Sequence, residues 1–366
     1  MVDLVFPEDQ INQKKEEARM RFYTNQHKYY CGIDLHARRM YVCIIDDKGE
    51  IREHRNMRTD REAFLKTIGP FREDVVVAVE CIFTWYWIAD LCQNEGIPFV
   101  LGHALYMKAI HGGKAKNDRI DSRKIAGLLR GGMMPMAYVY PVRMRATRDL
   151  MRRRNHLMRK RSELYVHIQY TNIQYNLPDP FGPISRPRNR EGIAGQFEHP
   201  SVQKSIAADL EMIRTYDGIL SQLERSIVRM ANHHDPESYG LLQTIPGVGR
   251  ILALIMLYEI ENINRFDSVQ DFASYGRLVK CARESNGKKC GYGGAKIGNV
   301  HLKWAFSEAA VFFPKGNGPA KKYLDRLTRK HGKSKALSIL AHKLGRAVYF
   351  MLKNREAFDQ KKFLTV

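Results

Sequence analysis

Four acidic residues in three short segments carry the chemistry this chain can do. Asp34 lies in YYCGIDLH, Glu80 ends VVVAVE, and Asp118 and Asp121 stand three apart in KNDRIDS. Asp34 and Glu80 each interrupt a strongly apolar stretch, where an unpaired charge is costly. On a helix, Asp118 and Asp121 share a face, and Asn117 or Asp118 also suits that helix's N-cap. Carboxylates are the hard oxygen ligands that Mg2+ (or Mn2+) prefers, and phosphodiester cleavage by two metals needs several acids converging on ions about 4 Å apart. The rest of the chain has the opposite sign. Its 60 Lys and Arg outnumber 39 Asp and Glu, for a net charge of +21. A metal-binding acidic set on a protein that attracts polyanions points to phosphodiester chemistry on nucleic acid.

Three further segments bear on the same chemistry. In IPGVG, Gly247 and Gly249 flank a small apolar residue between apolar runs. This fits a helix-hairpin-helix, whose exposed amides and helix start suit a phosphate; a plain tight connection fits equally. In ARESNGKK, Ser285 stands among Arg283, Lys288 and Lys289. Nearby cations stabilise an attacked phosphate, as a serine nucleophile requires, although such a turn is more often only a turn. Finally, nine basic residues and one acid, Asp149, fall between Arg143 and Arg161. Arg143, Arg145, Arg148, Arg152, Arg153, Arg154, Arg159, Lys160 and Arg161 on one helix could line a nucleic-acid backbone, the bland reading being a solvated face.

Stepwise patterns along the chain place these segments. Residues 1–28 read as a charged extension. From Tyr29 the chain alternates strand-like and helical runs: two or three strands, helix, strand, helix, strand, helix. That order predicts a mixed α/β layer with a central sheet over 29–142. Leu150, Leu157 and Leu164 repeat every seven residues, as do Ile213, Leu220 and Ile227, with Tyr216, Leu223 and Met230 as a second series. The spacing predicts a helical coiled-coil middle over 143–235, interrupted by a loop at about 177–200. Residues 236–366 read as a small, mostly helical C-terminal domain, with an ordered loop or β-turn region around Ser285.

Composition narrows the alternatives. The longest wholly apolar run, Ile251 to Tyr258, is far short of the roughly 20 residues a membrane span needs. The N-terminus lacks a signal-peptide core, so a cytoplasmic protein is expected. The six cysteines form no CxxC and complete no zinc pattern; reduced thiols are the simplest account.

With these residues in view, the chain resembles the DEDD transposases of bacterial insertion sequences, serine recombinases guided by a bridge RNA. The resemblance covers roughly residues 29 to 313. GIDLHARRMYVCIID, VAVE and KNDRIDSRKIAGLL match the family's N-terminal motifs in order. IPGVGRILALIMLYEI, RFDSVQDFASYGRLV, ESNGKK and GGAKIGNVHLKWAFSEAA resemble its second domain. The resemblance implies a RuvC-like ribonuclease H fold with Asp34, Glu80, Asp118 and Asp121 as the metal-binding tetrad, and Ser285 as the catalytic serine. It also implies magnesium, donor and target DNA, a structured guide RNA, and dimers that pair into a tetramer. YGRLVK at 275–280 lacks the GLVP form common in many members, and residues 1–27 have no assigned counterpart. The expected function is RNA-guided DNA strand cleavage and exchange through a phosphoserine intermediate. The rival readings are a metal-dependent junction-resolving nuclease without a covalent intermediate, and a nucleic-acid-binding scaffold with a decayed site.

Overall fold

A computed structural model describes residues 21–110, 117–177, 182–286, 288–293 and 297–365, and leaves the side chains of 108–110, 281–285, 289, 292 and 293 outside the description. The chain forms two compact units, residues 1–142 and 143–366.

The first unit is built on a five-stranded mixed sheet. A short strand β1 (Phe22–Tyr23) precedes β2 (Tyr29–Leu35), β3 (Arg39–Asp46) and β4 (Ile51–Arg58). Then come α1 (Arg61–Ile68), β5 (Val75–Glu80), α2 (Tyr86–Asn94), β6 (Phe99–Gly102), α3 (Ala104–Ile110), α4 (Asp118–Arg130) and β7 (Met134–Pro135). The sheet order is β4-β3-β2-β5-β6. Strands β2, β3 and β4 form an antiparallel meander, while β2, β5 and β6 are parallel. The apolar runs explain the centre: VVVAV of β5 is buried on both faces, as a parallel strand between helical layers must be. Odd-numbered Cys31, Ile33, Val77 and Val79 pack with α1 and α2 residues such as Phe64 and Ile88. Even-numbered Tyr30, Val76 and Ala78 pack with α4 residues Ile125, Ala126 and Leu129. Local chemistry sets the helix ends. Asp60 caps α1 by accepting from the Ala63 N–H, and Gly96 at φ 67° follows α2. This mixed α/β layer is compatible with a ribonuclease H-like transposase domain.

The second unit is helical. Its two long helices are α5 (Val142–Gln174) and α6 (Pro200–His234). The ion pairs Arg154–Glu224 and Arg161–Asp217 and the His167–Asp209 hydrogen bond join them, numbers rising along α5 as they fall along α6. The two helices therefore run antiparallel. Ile206, Leu210, Ile213, Leu220 and Ile227 of α6 are buried. The seven-residue series thus finds partners inside the same chain. The segment read as a loop at about 177–200 carries packed structure of its own. Ile184, Ile193 and Phe197 join Ile168, Ile206, Leu210 and Ile213 in one small core. Arg190 is buried there, donating to Asp217, the Tyr165 hydroxyl and two carbonyls.

The C-terminal elements are α7 (Pro236–Gln243), α8 (Arg250–Ile260), α9 (Val269–Tyr275), β8 (Cys281–Ser285), β9 (Lys288–Gly293), α10 (Val300–Phe312), α11 (Gly318–His331), α12 (Lys333–Asn354) and α13 (Gln360–Leu364). Their core centres on α8, buried from Leu252 to Ile260, and takes in Met144 and Met151 of α5 with Ile227 and Ala231 of α6. The helical middle and the C-terminal helices thus form one unit with a shared core. The region around Ser285, expected as a loop or β-turn, is an antiparallel hairpin pairing Ser285 with Lys288. Asn286 in its tip has φ 50°, the left-handed region that asparagine tolerates better than most residues. Among the described residues no helix is long and apolar enough to cross a membrane.

Candidate active site

The site is assembled where α4 crosses the sheet. Gly32 lies at the crossing: a Cβ there would sit 2.3 Å from the Ala126 nitrogen and 2.4 Å from the Ser122 oxygen. Both are backbone atoms, so only glycine admits the helix this close. The contact brings the first turn of α4 over the end of β2. Asn117 caps α4 by accepting from the Ile120 N–H. Of the two candidate caps the fold uses Asn117, leaving the Asp118 carboxylate for other work. His54 of β4 braces the same turn, its Nε2 lying 3.0 Å from the Arg119 carbonyl and 3.3 Å from the Ser122 hydroxyl.

The result is a group of ligand atoms from distant segments. Asp34, His36 and Asp118 each offer one atom, all within 4.8 Å of one another. His36 Nε2 lies 3.5 Å from Asp34 Oδ2 and 3.7 Å from Asp118 Oδ1. Burial raises the Asp34 carboxyl above its usual range; His36 opposes the shift, and Asp118 and Asp121 add to it by repulsion. Asp121 is therefore near enough to act electrostatically on Asp34, and it also pairs with Lys124 at 3.4 Å. Glu80 reaches the region through register. Ile33 pairs with Val79, so Asp34 and Glu80 are the next residues on neighbouring parallel strands. Both are even-numbered, on the face that α4 covers.

Carboxylate oxygens and one imidazole within reach of a common point are donors that suit a divalent cation. The upward shift of the Asp34 carboxyl fits too, since burial and the like charge of Asp118 and Asp121 outweigh the one histidine beside it. His36 was not singled out by the sequence reading. Its signal was present: two residues after Asp34, it repeats the strand's side-chain parity.

In the second unit, Ser285, Arg283 and Lys289 have side chains outside the described residues. Their backbone lies on β8 and β9, and Lys288 is exposed. The feet of the hairpin are tied together. The Arg277 Nε donates to the Gly298 carbonyl at 2.9 Å, and the Asn299 N–H to the Tyr275 carbonyl. Gly298 has φ 92°, and a Cβ there would meet the Tyr275 oxygen at 2.6 Å. Asn299 extends this tie inward. Its amide donates to Glu259 Oε2 at 2.7 Å while its oxygen caps α10. Glu259 also takes a bidentate pair from Arg152, at 2.7 and 2.9 Å, and a bond from Arg148 at 3.1 Å. Despite burial, these donors hold the Glu259 carboxyl down at about 2.

This network corrects the expectation that the α5 cations face a nucleic acid as a set. Arg145, Arg148 and Arg154 are buried. Arg148 and Arg152 bind Glu259, Arg154 binds Glu224, and Arg161 binds Asp217. Lys160 pairs with Glu163 on its own helix. Arg143, Arg153 and Arg159 are exposed. The cause lies in the fold: the acids that neutralise α5 come from α6 and α8, far along the chain.

The IPGVG segment does connect two helices, α7 and α8, and Gly249 caps α8 with no side chain. Gly247 has φ 81°, and its missing Cβ would meet the Phe312 and Phe313 backbone at 2.6–2.8 Å. Helix packing alone therefore requires glycine at 247.

An acidic site on a mixed sheet, joined to a helical second unit in a strongly basic chain, defines a class of nucleic-acid-processing enzyme. Comparisons with known proteins make it particular. Residues 31–171 match the DEDD transposase model of the IS110 family, described as a transposase, and residues 239–324 match a model described as "Transposase IS116/IS110/IS902 family". The chain belongs to the IS110 family of DEDD transposases, enzymes that cut and rejoin DNA. It is also similar to the transposase for insertion sequence element IS1111A of Coxiella burnetii (strain RSA 493 / Nine Mile phase I), with 22% identity over 89% of this chain and 90% of the relative.

Proposed function

We propose that this transposase cleaves and exchanges DNA strands through two cooperating centres, guided by a structured RNA. The observation that carries the reading is the convergence of Asp34 and Asp118 on His36, with the Asp34 carboxyl raised by burial and like charge. Asp34, Asp118 and Asp121, with Glu80 from the adjoining strand, would hold Mg2+ or Mn2+. His36 is either a further ligand or the group that orients Asp34 and Asp118. A bound divalent ion supplies Lewis-acid stabilisation of charge on the phosphate.

Ser285 is the nucleophile in this reading. Its Oγ forms a bond to phosphorus and the P–O3′ bond breaks. The serine proton ends on the departing 3′ oxygen, leaving a phosphoserine link and a free 3′ hydroxyl. Reversal with another strand's 3′ hydroxyl rejoins DNA without an external energy source. Lys288, exposed opposite Ser285 in register, and Arg283 and Lys289 would stabilise the attacked phosphate. The exposed Arg143, Arg153, Arg159 and Lys160 and the α8 start at Gly249, behind Gly247, are phosphate contacts in the same scheme. Val166, Tyr170 and Ile173 leave an apolar stripe exposed at i, i+4 and i+7 of α5, which supports self-association into dimers and a tetramer.

The test uses trapped complexes. Wild type with DNA and co-purified RNA should yield a covalent protein–DNA adduct that S285A cannot form while still binding both nucleic acids. An S285A protein that cleaves DNA at the normal rate would replace this reading with a metal-only nuclease. Sequencing the co-purified RNA tests the guide, and light scattering the assembly.

A further inference from the structure

We propose that the exposed face of α11, continued by the first turn of α12, is a second nucleic-acid contact, one that grips the phosphate backbone of duplex DNA. Helix α11 reads GPAKKYLDRLTRKH. One side of it packs inward: Ala320 is buried, and Tyr323 and Leu324 lie against the C-terminal core. The opposite side exposes Lys321, Lys322, Asp325, Arg326, Arg329 and Lys330, and Lys333 follows just past Gly332. Six cations thus share one surface with a single acid. Among the described residues no ion pair neutralises any of the six.

Helix stability does not explain this arrangement. Lys322, Arg326 and Lys330 are spaced i, i+4, i+8, and like charges at that spacing destabilise a helix. Lys321 lies in the first turn, whose amides already present partial positive charge. Only Arg329 and Lys330 stand at the favourable C-terminal end. Helix α5 has a comparable density of cations, and there the fold supplies Glu224, Glu259 and Asp217 as partners. On α11 it supplies none, so the compensating charge comes from outside. From Lys321 to Lys330 the helical rise is roughly 14 Å, which spans about four phosphates along one DNA strand. DNA is the polyanion that a transposase already engages. Arg326, Arg329, Lys330 and Lys333 all lie beyond residue 324, where the matched family segment ends.

The test uses the full chain and a short fluorescent duplex of mixed sequence. R326A/R329A/K330A, all at exposed positions, should weaken duplex binding about 10-fold or more at moderate salt. Its log Kd against log salt slope should be shallower by up to about 2.7, near 0.9 for each lost contact. Lysine acetylation of the wild-type protein, with and without duplex, gives a second readout that needs no variant; Lys321, Lys322, Lys330 and Lys333 should be protected. An unchanged slope, or no lysine protection, overturns the proposal. So does a variant that loses only structured RNA and keeps duplex DNA. The measurement requires no cleavage, so its failure leaves the Ser285 reading standing, and a failed adduct assay leaves this one standing.

Discussion

Asp34 and Glu259 are both carboxylates set into apolar surroundings, one in each unit, and the protein treats them in opposite ways. Around Glu259 it gathers Arg148, Arg152 and Asn299, and the carboxyl is held down at about 2. Around Asp34 it gathers Asp118, Asp121 and one histidine, and the carboxyl is pushed up. Burial acts on both in the same direction. The partners reverse its effect at Glu259; at Asp34 the histidine opposes it without reversing it, and the two acids reinforce it. A buried acid already neutralised by arginines serves the fold. A buried acid placed among other acids is held ready for a cation from solution.

The largest effect expected from breaking this contrast is catalytic. D34N should lower strand cleavage by on the order of 10³-fold, the scale of removing a main electrostatic element of an active site, with circular dichroism unchanged. Retained cleavage would show that Asp34 holds nothing the chemistry needs.

Removing the other carboxylate should damage the fold. E259A leaves the buried Arg148 and its neighbour Arg152 without their shared partner, and should cost about 3–5 kcal/mol in chemical denaturation of the second unit. If the loss is under about 1 kcal/mol, Glu259 is dispensable and the contrast fails.

The pH dependence follows from the same group. The folded carboxyl of Glu259 is depressed from 4.5 to about 2. Its stabilisation is present above the unfolded value and is lost as pH falls towards about 2. The linkage amounts to about 3 kcal/mol. Thermal melts from pH 5 to 2 should show this slope in wild type and a flatter one in E259Q.

Gly32 sharpens the comparison from the geometric side. G32A forces α4 away from β2 and should destabilise the first unit by about 1–3 kcal/mol. It should also weaken divalent-ion affinity by calorimetry more than an exposed change such as G127A. Equal ion affinity would separate the α4 crossing from the site.

The smallest effect concerns the metal-free protein. Because the folded Asp34 pKa is raised, its stability contribution declines as pH rises through that pKa, and the ionised form is net unfavourable at pH 7. D34N should therefore raise metal-free stability slightly, by less than about 1 kcal/mol after solvent screening. A lower melting temperature would mean that ionised Asp34 is satisfied by the protein alone.

Much of this was legible in the order of residues. The β-branched run before Glu80 and the seven-residue series of α6 are local patterns, and each names its element, whereas the segment around Ser285 read as a loop or turn and is a hairpin. Asp34 and Glu80 could be flagged because a charge ending an apolar strand is a local anomaly. Other features carried no local mark. YYCGIDLH does not say that Gly32 will lie under Ser122 and Ala126, or that His36 will stand between Asp34 and Asp118. The RMRATRDLMRRRNHLMRKR run reads as a surface for phosphate until Glu224, Glu259 and Asp217 arrive from other helices to bind it.

By itself, then, the sequence determined the strand and helix types, the acidic residues, the excess of cations and, through ordered motifs, the transposase family. Those depend on neighbours a few residues away, or on composition. Tertiary structure alone decided which acids meet, which glycine is obligatory and which arginines are spent inside the protein. Coulomb interaction and steric exclusion act over a few ångströms in space, and residues such as Arg148 and Glu259 become neighbours only when the chain has folded.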